Sequence, residues 1–363
     1  MKHLVLLGGG HAHVHVLRDL AALALPAGRV TLVSPYPRAV YSGMVPGLVA
    51  GHYQVDDCSI ALPPLAAAAQ AGFVESAATA IDTAARTVTL ANGQTLHYDV
   101  LSLDTGAVMD RDAIPGAREH ALFLRPIEQF AVLCNGLLQM AHSRALSVVV
   151  IGGGAGGVEI AMALQQRLGD RARLSLVTGG GAPLDNYPER VQERVLHALK
   201  RRGITVFRDP CREVTASHVW LGNGARLQCD APVAASGTSA PAWLQGSGLA
   251  LDAQGFVLTG NTLQSVSHPE VFAAGDVASR SDAPRPKSGV YAVRSGPPLA
   301  LNLRRFVGGG PLQAHHPKER SLNLLSCGSR CAIAAWGNWS AQGRWVWWWK
   351  NHLDRSFVRS MRA

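Results

Sequence analysis

His11, His13 and His15 alternate directly behind three consecutive glycines, in LLGGGHAHVHVL at residues 6–17. Two chemistries could use such a stretch: imidazoles gathered on a metal ion, or a glycine turn that cradles a phosphate. The flanks decide between them. HLVLL before the glycines is an apolar run of strand type, and Val14, Leu17, Leu20 and Ala21 after them recur at helical spacing. On a helix a two-residue step turns a side chain by about 200°, so His11 and His15 share a face and His13 points away. Three imidazoles so arranged do not converge on one ion, and no metal site is expected. Glycines between a strand and a helix read instead as a dinucleotide turn, with Gly8 and Gly10 at its first two fingerprint positions. A phosphate there meets backbone N–H groups and the positive end of the helix dipole. His13 occupies the place of the third glycine. RVTLVSPYP ends in Ser34, uncharged but able to bond a ribose hydroxyl, where an acidic residue is usual.

A second turn has the better form. In SVVVIGGGAGGVEIAMAL, residues 147–164, Gly152, Gly154 and Gly157 fill all three positions and Glu159 follows two residues on. After its next strand, RLSLVTGGG, Thr178 stands where a ribose-binding acid is expected. Two such units suggest two dinucleotides that exchange electrons, with a duplicated structural fold as the alternative. Further on, HPEVFAAGDVA (268–278) is an apolar strand ending in Gly275-Asp276. Lys287 precedes SGVYAVRSG, a short helix that Pro297-Pro298 must end or kink. LLSCGSRCAIAAWG carries Cys327 and Cys331, which share one face if helical and are either buried free thiols or a redox pair.

The bulk of the chain sets bounds on these readings. Its 363 residues suffice for two or three domains, and 47% apolar with 16% charged residues describe a globular protein. A net charge of +9 fits anionic cofactors, nucleic acid or an anionic membrane. No nucleic-acid-binding motif stands out, so no such partner is expected. MKHLVLLGGG runs from one lysine straight into a strand, so a cytoplasmic location without a signal peptide is expected. Residues 145–164 approach membrane-span length, but their glycine cluster and Glu159 favour a buried strand–turn–helix. The six cysteines are scattered with no C-x-x-C, which suits a reducing compartment and argues against a dithiol of the usual spacing.

The elements that position these residues form an ordered set. VLSLDTGA and APVAASGTSAP are short strands ending in Asp104–Gly106 and Ala235–Gly237. The order is glycine turn, crossing strand, glycine turn, crossing strand, Gly-Asp. This order resembles the pyridine nucleotide–disulfide oxidoreductase superfamily over roughly residues 1–310. Without a C-x-x-C the chain looks more like type II NADH dehydrogenases and sulfide:quinone oxidoreductases. YSGMVPGLVAGHY, PKSGVYAVRSGPPLALNL and WGNWSAQGRWVW add a likeness to the flavoprotein module found fused to selenophosphate synthetase.

The resemblance implies an α/β fold with two Rossmann-like dinucleotide-binding domains. The flavin domain, 1–117 and 243–310, is split by an inserted nicotinamide-type domain, 118–242, and a C-terminal segment follows from 311 to 363. Strand–Asn-Gly–strand stretches at 88–101 and 218–233 look like matching hairpins, a second sign of duplication. It further implies FAD held by Gly8, Gly10, His11, Ala12, Ser34, Gly106, Gly275, Asp276, Gly289 and Val290, with Asp276 on the ribityl chain. NAD(P)H would use Gly152, Gly154, Gly157 and Thr178, with Glu159 near the nicotinamide ring. The helix after Ser288 would aim its N-terminus at the flavin's pyrimidine edge, where the dipole and Lys287 stabilise negative charge. The expected function is electron transfer from NAD(P)H through the flavin to a quinone-like or other small acceptor. Two alternatives are kept: a sulfide- or selenide-oxidising flavoprotein using Cys327 and Cys331, and a flavin-binding partner module in selenium metabolism.

The tail GRWVWWWKNHLDRSFVRSMRA, residues 343–363, holds four of the eight tryptophans. As a helix it places Val346, Trp349, Leu353, Phe357 and Met361 on one stripe and Arg355, Arg359 and Arg362 opposite. It is expected to dock on the body, to contact a second copy in a homodimer, or to lie on an anionic membrane at its inner face.

Overall fold

The structure is a computed structural model and describes residues 2–26 and 28–362. Met1 and Ala363, the outer ends of the expected domain ranges, fall outside the described residues.

Leu4, Val5, Leu6 and Leu7 are all fully buried, as a strand covered on both faces requires. Their strand, Lys2–Leu7, lies at the centre of a parallel five-stranded sheet. Its order is Val271–Ala273, Val100–Leu103, Lys2–Leu7, Gly28–Ser34 and Ala71–Glu75. A second parallel sheet repeats the plan: Leu122–Phe123, Ala231–Ala234, Leu146–Ile151, Ala172–Val177 and Thr205–Phe207. Both central strands run into a glycine turn and then a helix, His11–Ala22 and Ala155–Leu168. Each sheet carries an antiparallel three-stranded companion, 78–97 and 211–228, built on the two Asn-Gly hairpins. The fold is α/β with Rossmann-type sheets. The strand Val271–Ala273 returns to the first sheet after the chain has completed the second.

Three local expectations change. The helix after Ser288 does not stop at the prolines but runs Gly289–Gly308 with Pro297 and Pro298 inside it. Two adjacent prolines remove two backbone donors, but Leu299, Ala300 and Leu303 beyond them are buried, and the helix packs along His11–Ala22. That burial outweighs the lost bonds. His13 points away from His11 and His15, and its face of the helix turns into the sheet, where the side chain is fully buried. Cys327 and Cys331 are not helical. They flank the turn of a hairpin between Asn323–Ser326 and Ala332–Trp336.

The tail is a helix, Arg344–Met361, but its buried face is rotated from the expected stripe. Val346, Trp347, Lys350, Asp354, Val358 and Met361 are buried, whereas Trp349 and Leu353 are exposed. The buried face contains an ion pair, Lys350 Nζ donating to Asp354 Oδ2 at 2.7 Å, which apolar periodicity cannot reveal. Among the described residues, no helix is long and apolar enough to cross a membrane.

Candidate functional site: two glycine turns and the cleft at the first

A cavity of about 290 Å³ opens at the carboxyl ends of the first sheet, where α/β sheets place their ligands. Gly8, Gly10, His11, Ser34, Gly106, Asp276 and Gly289 line it. Ala12 is buried behind the turn, Gly275 faces an adjoining smaller cavity, and Val290 lies one step along the helix from the lining.

The turn is built for close backbone approach. Gly8 has φ +97°, and a Cβ there would run into the backbone of Asp104 and Thr105. Gly10 caps the following helix with no side chain of its own, and Asp104 takes the N–H groups of Ala12 and His13, so a ligand meets the remaining N–H groups of the turn. Asp104 holds the turn from behind. Its carboxylate accepts the His13 N–H at 2.9 Å, and burial pushes its pKa well up despite that bond and one from the Ala12 N–H. The His13 ring replaces the third glycine with a bonded wedge. Nδ1 lies 2.7 Å from the Gly8 carbonyl and Nε2 2.8 Å from Ser102 Oγ. A carbonyl only accepts, so Nδ1 carries the proton and Nε2 accepts from the serine hydroxyl. Burial lowers the His13 pKa to about 4 and keeps this neutral tautomer. Ser34 Oγ donates to the Tyr36 carbonyl at 2.9 Å at the far end of the cavity.

Asp276 faces the cavity and pairs with Arg125 at 2.8 Å. Arg125 follows Leu122–Phe123 of the second sheet, so the second unit reaches across into the first unit's cleft. Sequence reading missed Arg125, since an arginine in LFLRPIEQF carries no distinguishing pattern. Lys287 is not brought to this cavity. Its ammonium donates to the Ala278 carbonyl, sits 3.8 Å from the centre of the Phe256 ring, and lines the adjoining cavity. Burial lowers its pKa, against the opposing pull of Asp252 and Asp276.

At the second turn a Cβ on Gly157 would strike the Gly152 carbonyl, so the helix starts hard against the strand. Gly154 caps that helix, again without a side-chain cap. Thr178 does not face outward as a carboxylate would. Its Oγ1 donates to the Gly181 carbonyl at 2.5 Å. Glu159 lies on the inner face of the helix and accepts the Ser326 N–H at 2.6 Å. Burial pushes its pKa up to about 7, while the Lys350 ammonium and the Ser326 N–H pull it down. Lys350 also donates to the Gly43 carbonyl at 2.6 Å, so the C-terminal helix ties the first unit to the Glu159 region. Lys350 and Asp354 were missed because their i, i+4 spacing reads equally well as an exposed pair.

A helix start at the cavity, a glycine turn packed too tightly on Asp104 and Thr105 to admit a Cβ, and Ser34 in the same lining fit the pyrophosphate and ribose of a dinucleotide. Two such turns in one chain define the class of two-dinucleotide oxidoreductases. Residues 2–296 match the pyridine nucleotide-disulphide oxidoreductase family, and the chain belongs to it. It is 26% identical over 293 residues to demethylphylloquinone reductase NdbB of Synechocystis sp., covering 77% of this chain and 72% of that protein. The sulfide:quinone oxidoreductase structure from Aquifex aeolicus superposes with a TM-score of 0.84 at 20% identity, covering 99% of this chain and 91% of that one. NDH2 from Plasmodium falciparum, in complex with NADH, gives 0.78 at 14% identity over 99% and 97% of the two chains. At these identities the two structures establish the fold. The likeness to the module fused to selenophosphate synthetase finds no support in these comparisons.

Proposed function

We propose that the chain is an FAD-dependent oxidoreductase that passes electrons from NAD(P)H to a quinone-like acceptor. Its flavin domain would be residues 1–117 and 243–310, with the nicotinamide-type domain inserted. The observation that carries this reading is the Arg125–Asp276 pair, which brings the second glycine-turn unit into the cleft of the first. When bound, the flavin supplies hydride acceptance and one-electron chemistry that no side chain offers. The chain's residues do the rest. Gly8, Gly10 and the start of helix His11–Ala22 bind the pyrophosphate, Asp276 the ribityl hydroxyls, and Ser34 the adenosine ribose. Arg125 offsets negative charge beside Asp276. Gly152, Gly154 and Gly157 would receive the nicotinamide dinucleotide, and Glu159, raised toward neutrality, would hold or release a proton at its carboxylate. Thr178 in place of an acid supports no preference between NADH and NADPH.

The exposed aromatic face supports a place on an anionic lipid surface for this reading. Trp345 and Trp348 are both 54% exposed on the helix Arg344–Met361 and continue into Trp349 and Leu353. Arg344 and Arg359 are exposed on the same helix, and Arg330 lies over the Trp347 ring. Interfacial tryptophans with flanking arginines match a headgroup layer of opposite charge, where a lipid-soluble quinone is at hand.

The cysteine pair beside Ser326 favours a second reading, oxidation of sulfide or selenide. Anaerobic mixing separates the two. Flavin bleaching near 450 nm (roughly the cofactor's own band) by NADH or NADPH, and not by sulfide or selenide, is expected. Bleaching by sulfide or selenide alone, lost in Cys327→Ser or Cys331→Ser, would replace the first reading with the second. A protein that stays colourless after incubation with FAD would remove both.

A further inference from the structure

The hairpin carrying Cys327 and Cys331 meets the second unit through Ser326 and Glu159, and its two thiols have no part in the nicotinamide-to-quinone reading. We propose that these two residues form a thiol–disulfide exchange site for small disulfides, with Cys331 attacking and Cys327 resolving. The site goes beyond the nicotinamide-to-quinone reading and does not rest on it.

The backbone sets the pair face to face. Ser326 and Ala332 are register partners, and one step further in the Cys327 N–H donates to the Cys331 carbonyl at 3.0 Å. Facing residues of an antiparallel pair lie about 5 Å apart at Cα, within the span a disulfide bridges. Ser326 is anchored by Glu159, so the Cys327 strand is fixed where it enters the turn.

The two sulfurs differ in access and charge. Cys327 is 2% exposed, whereas Cys331 is half-buried and reachable. Arg202 donates to Ser329 Oγ at 2.7 Å, which places a guanidinium over the turn between the cysteines. The Gln342 side-chain amide points at Cys331 Sγ from 4.0 Å. The neighbouring Cys327 thiol, with Gln342 and Arg202, holds Cys331 below the usual thiol range, while the Cys331 sulfur and burial push Cys327 up. An accessible, electropositive thiolate backed by a buried thiol is the arrangement that exchange chemistry needs.

The step balances. Cys331 thiolate attacks one sulfur of a low-molecular-weight disulfide, forming a mixed disulfide and expelling one small thiolate. Cys327 gives its proton to solvent or to that thiolate and attacks the Cys331 sulfur. The Cys327–Cys331 bond forms and the second small thiolate leaves. The two protein thiols are oxidised and the small disulfide is reduced to two thiols.

The test treats the FAD-containing full chain with oxidised glutathione near neutral pH, followed by intact mass and peptide mapping. Mapping separates the pair from Cys211, the other half-buried cysteine. Wild type is expected to lose both thiols of the pair with no glutathione retained. Cys327→Ser is expected to trap one glutathione on Cys331, and Cys331→Ser to slow reaction at the hairpin at least about tenfold. Wild type keeping both thiols, or retaining glutathione on Cys331, would overturn the proposal. So would Cys331→Ser reacting at the wild-type rate. Flavin reduction by nicotinamide is read separately, so failure here is distinguishable from failure of the electron-transfer reading.

Discussion

His13 shows how one residue can replace a fingerprint glycine. Its ring joins the Gly8 carbonyl to Ser102, so the turn gains two side-chain bonds where a glycine would give only proximity. Removing the ring leaves a cavity and an unpaired serine, and His13→Ala is expected to cost about 2–4 kcal/mol in denaturant unfolding. The pKa of the ring is lowered from 6.5 to about 4, so its contribution is present above 6.5 and lost as pH falls toward 4. The variant should therefore show a shallower loss of stability over that window. Glu159 has the opposite sign. Its pKa is raised from 4.5 to about 7, so the folded state binds more protons than the unfolded state between those values. Stability relative to Glu159→Gln should fall as pH rises from 4.5 to 7, by about 3 kcal/mol at most. Melting curves across that range check it, and parallel curves for the two proteins would refute the shifted carboxyl.

The C-terminal helix is the element whose burial and charge are most at odds. Lys350 and Asp354 sit on its buried face, bonded to each other and, through Lys350, to the Gly43 carbonyl. Breaking such a pair strands a charge, whereas replacing both partners does not. Asp354→Ala is expected to destabilise by about 3–5 kcal/mol, and Lys350→Met with Asp354→Leu by clearly less. Chemical denaturation of the three proteins decides this. Equal loss in the single and double variants would show that packing around the helix, not the ion pair, sets its stability. The helix Gly289–Gly308 makes the complementary case. Its prolines forbid two hydrogen bonds, yet contact with His11–Ala22 carries it through.

At the scale of the whole molecule, two parallel sheets meet at one cleft, and the C-terminal hairpin and helix together pack against both units. Asp276→Ala removes both the proposed ribityl contact and the partner of Arg125. It is expected to lower the FAD retained through gel filtration while leaving the fold intact by circular dichroism. Unchanged flavin content would remove that role from Asp276. The lipid-surface proposal needs a variant that spares the core. Truncation at Gly343 would strip buried Val346, Val358 and Met361 from the body and test folding instead. Replacing exposed Trp345, Trp348 and Trp349 together with serine avoids this. The full chain is expected to sediment with anionic phospholipid vesicles at low salt, and the triple variant to stay in the supernatant. Sedimentation of both to the same extent would show that this face is not the contact.

The sequence by itself determined the two strand–glycine–helix units, their order and the paired Asn-Gly hairpins. Those features are written in local periodicity and in glycines that only tight turns demand. Gly8, Gly10 and Ser34 were therefore legible, Gly106 and Asp276 followed from the family resemblance, and all five line one cavity. Tertiary structure alone decided the rest. The burial of His13 depends on which helix face meets the sheet, and Arg125 reaches Asp276 only because the second sheet packs beside the first. The rotation of the C-terminal helix follows from a buried ion pair that a hydrophobicity pattern scores as surface. Cys327 and Cys331 face each other because residues 323–336 fold as a hairpin, a pairing set by long-range packing and not by their spacing of four.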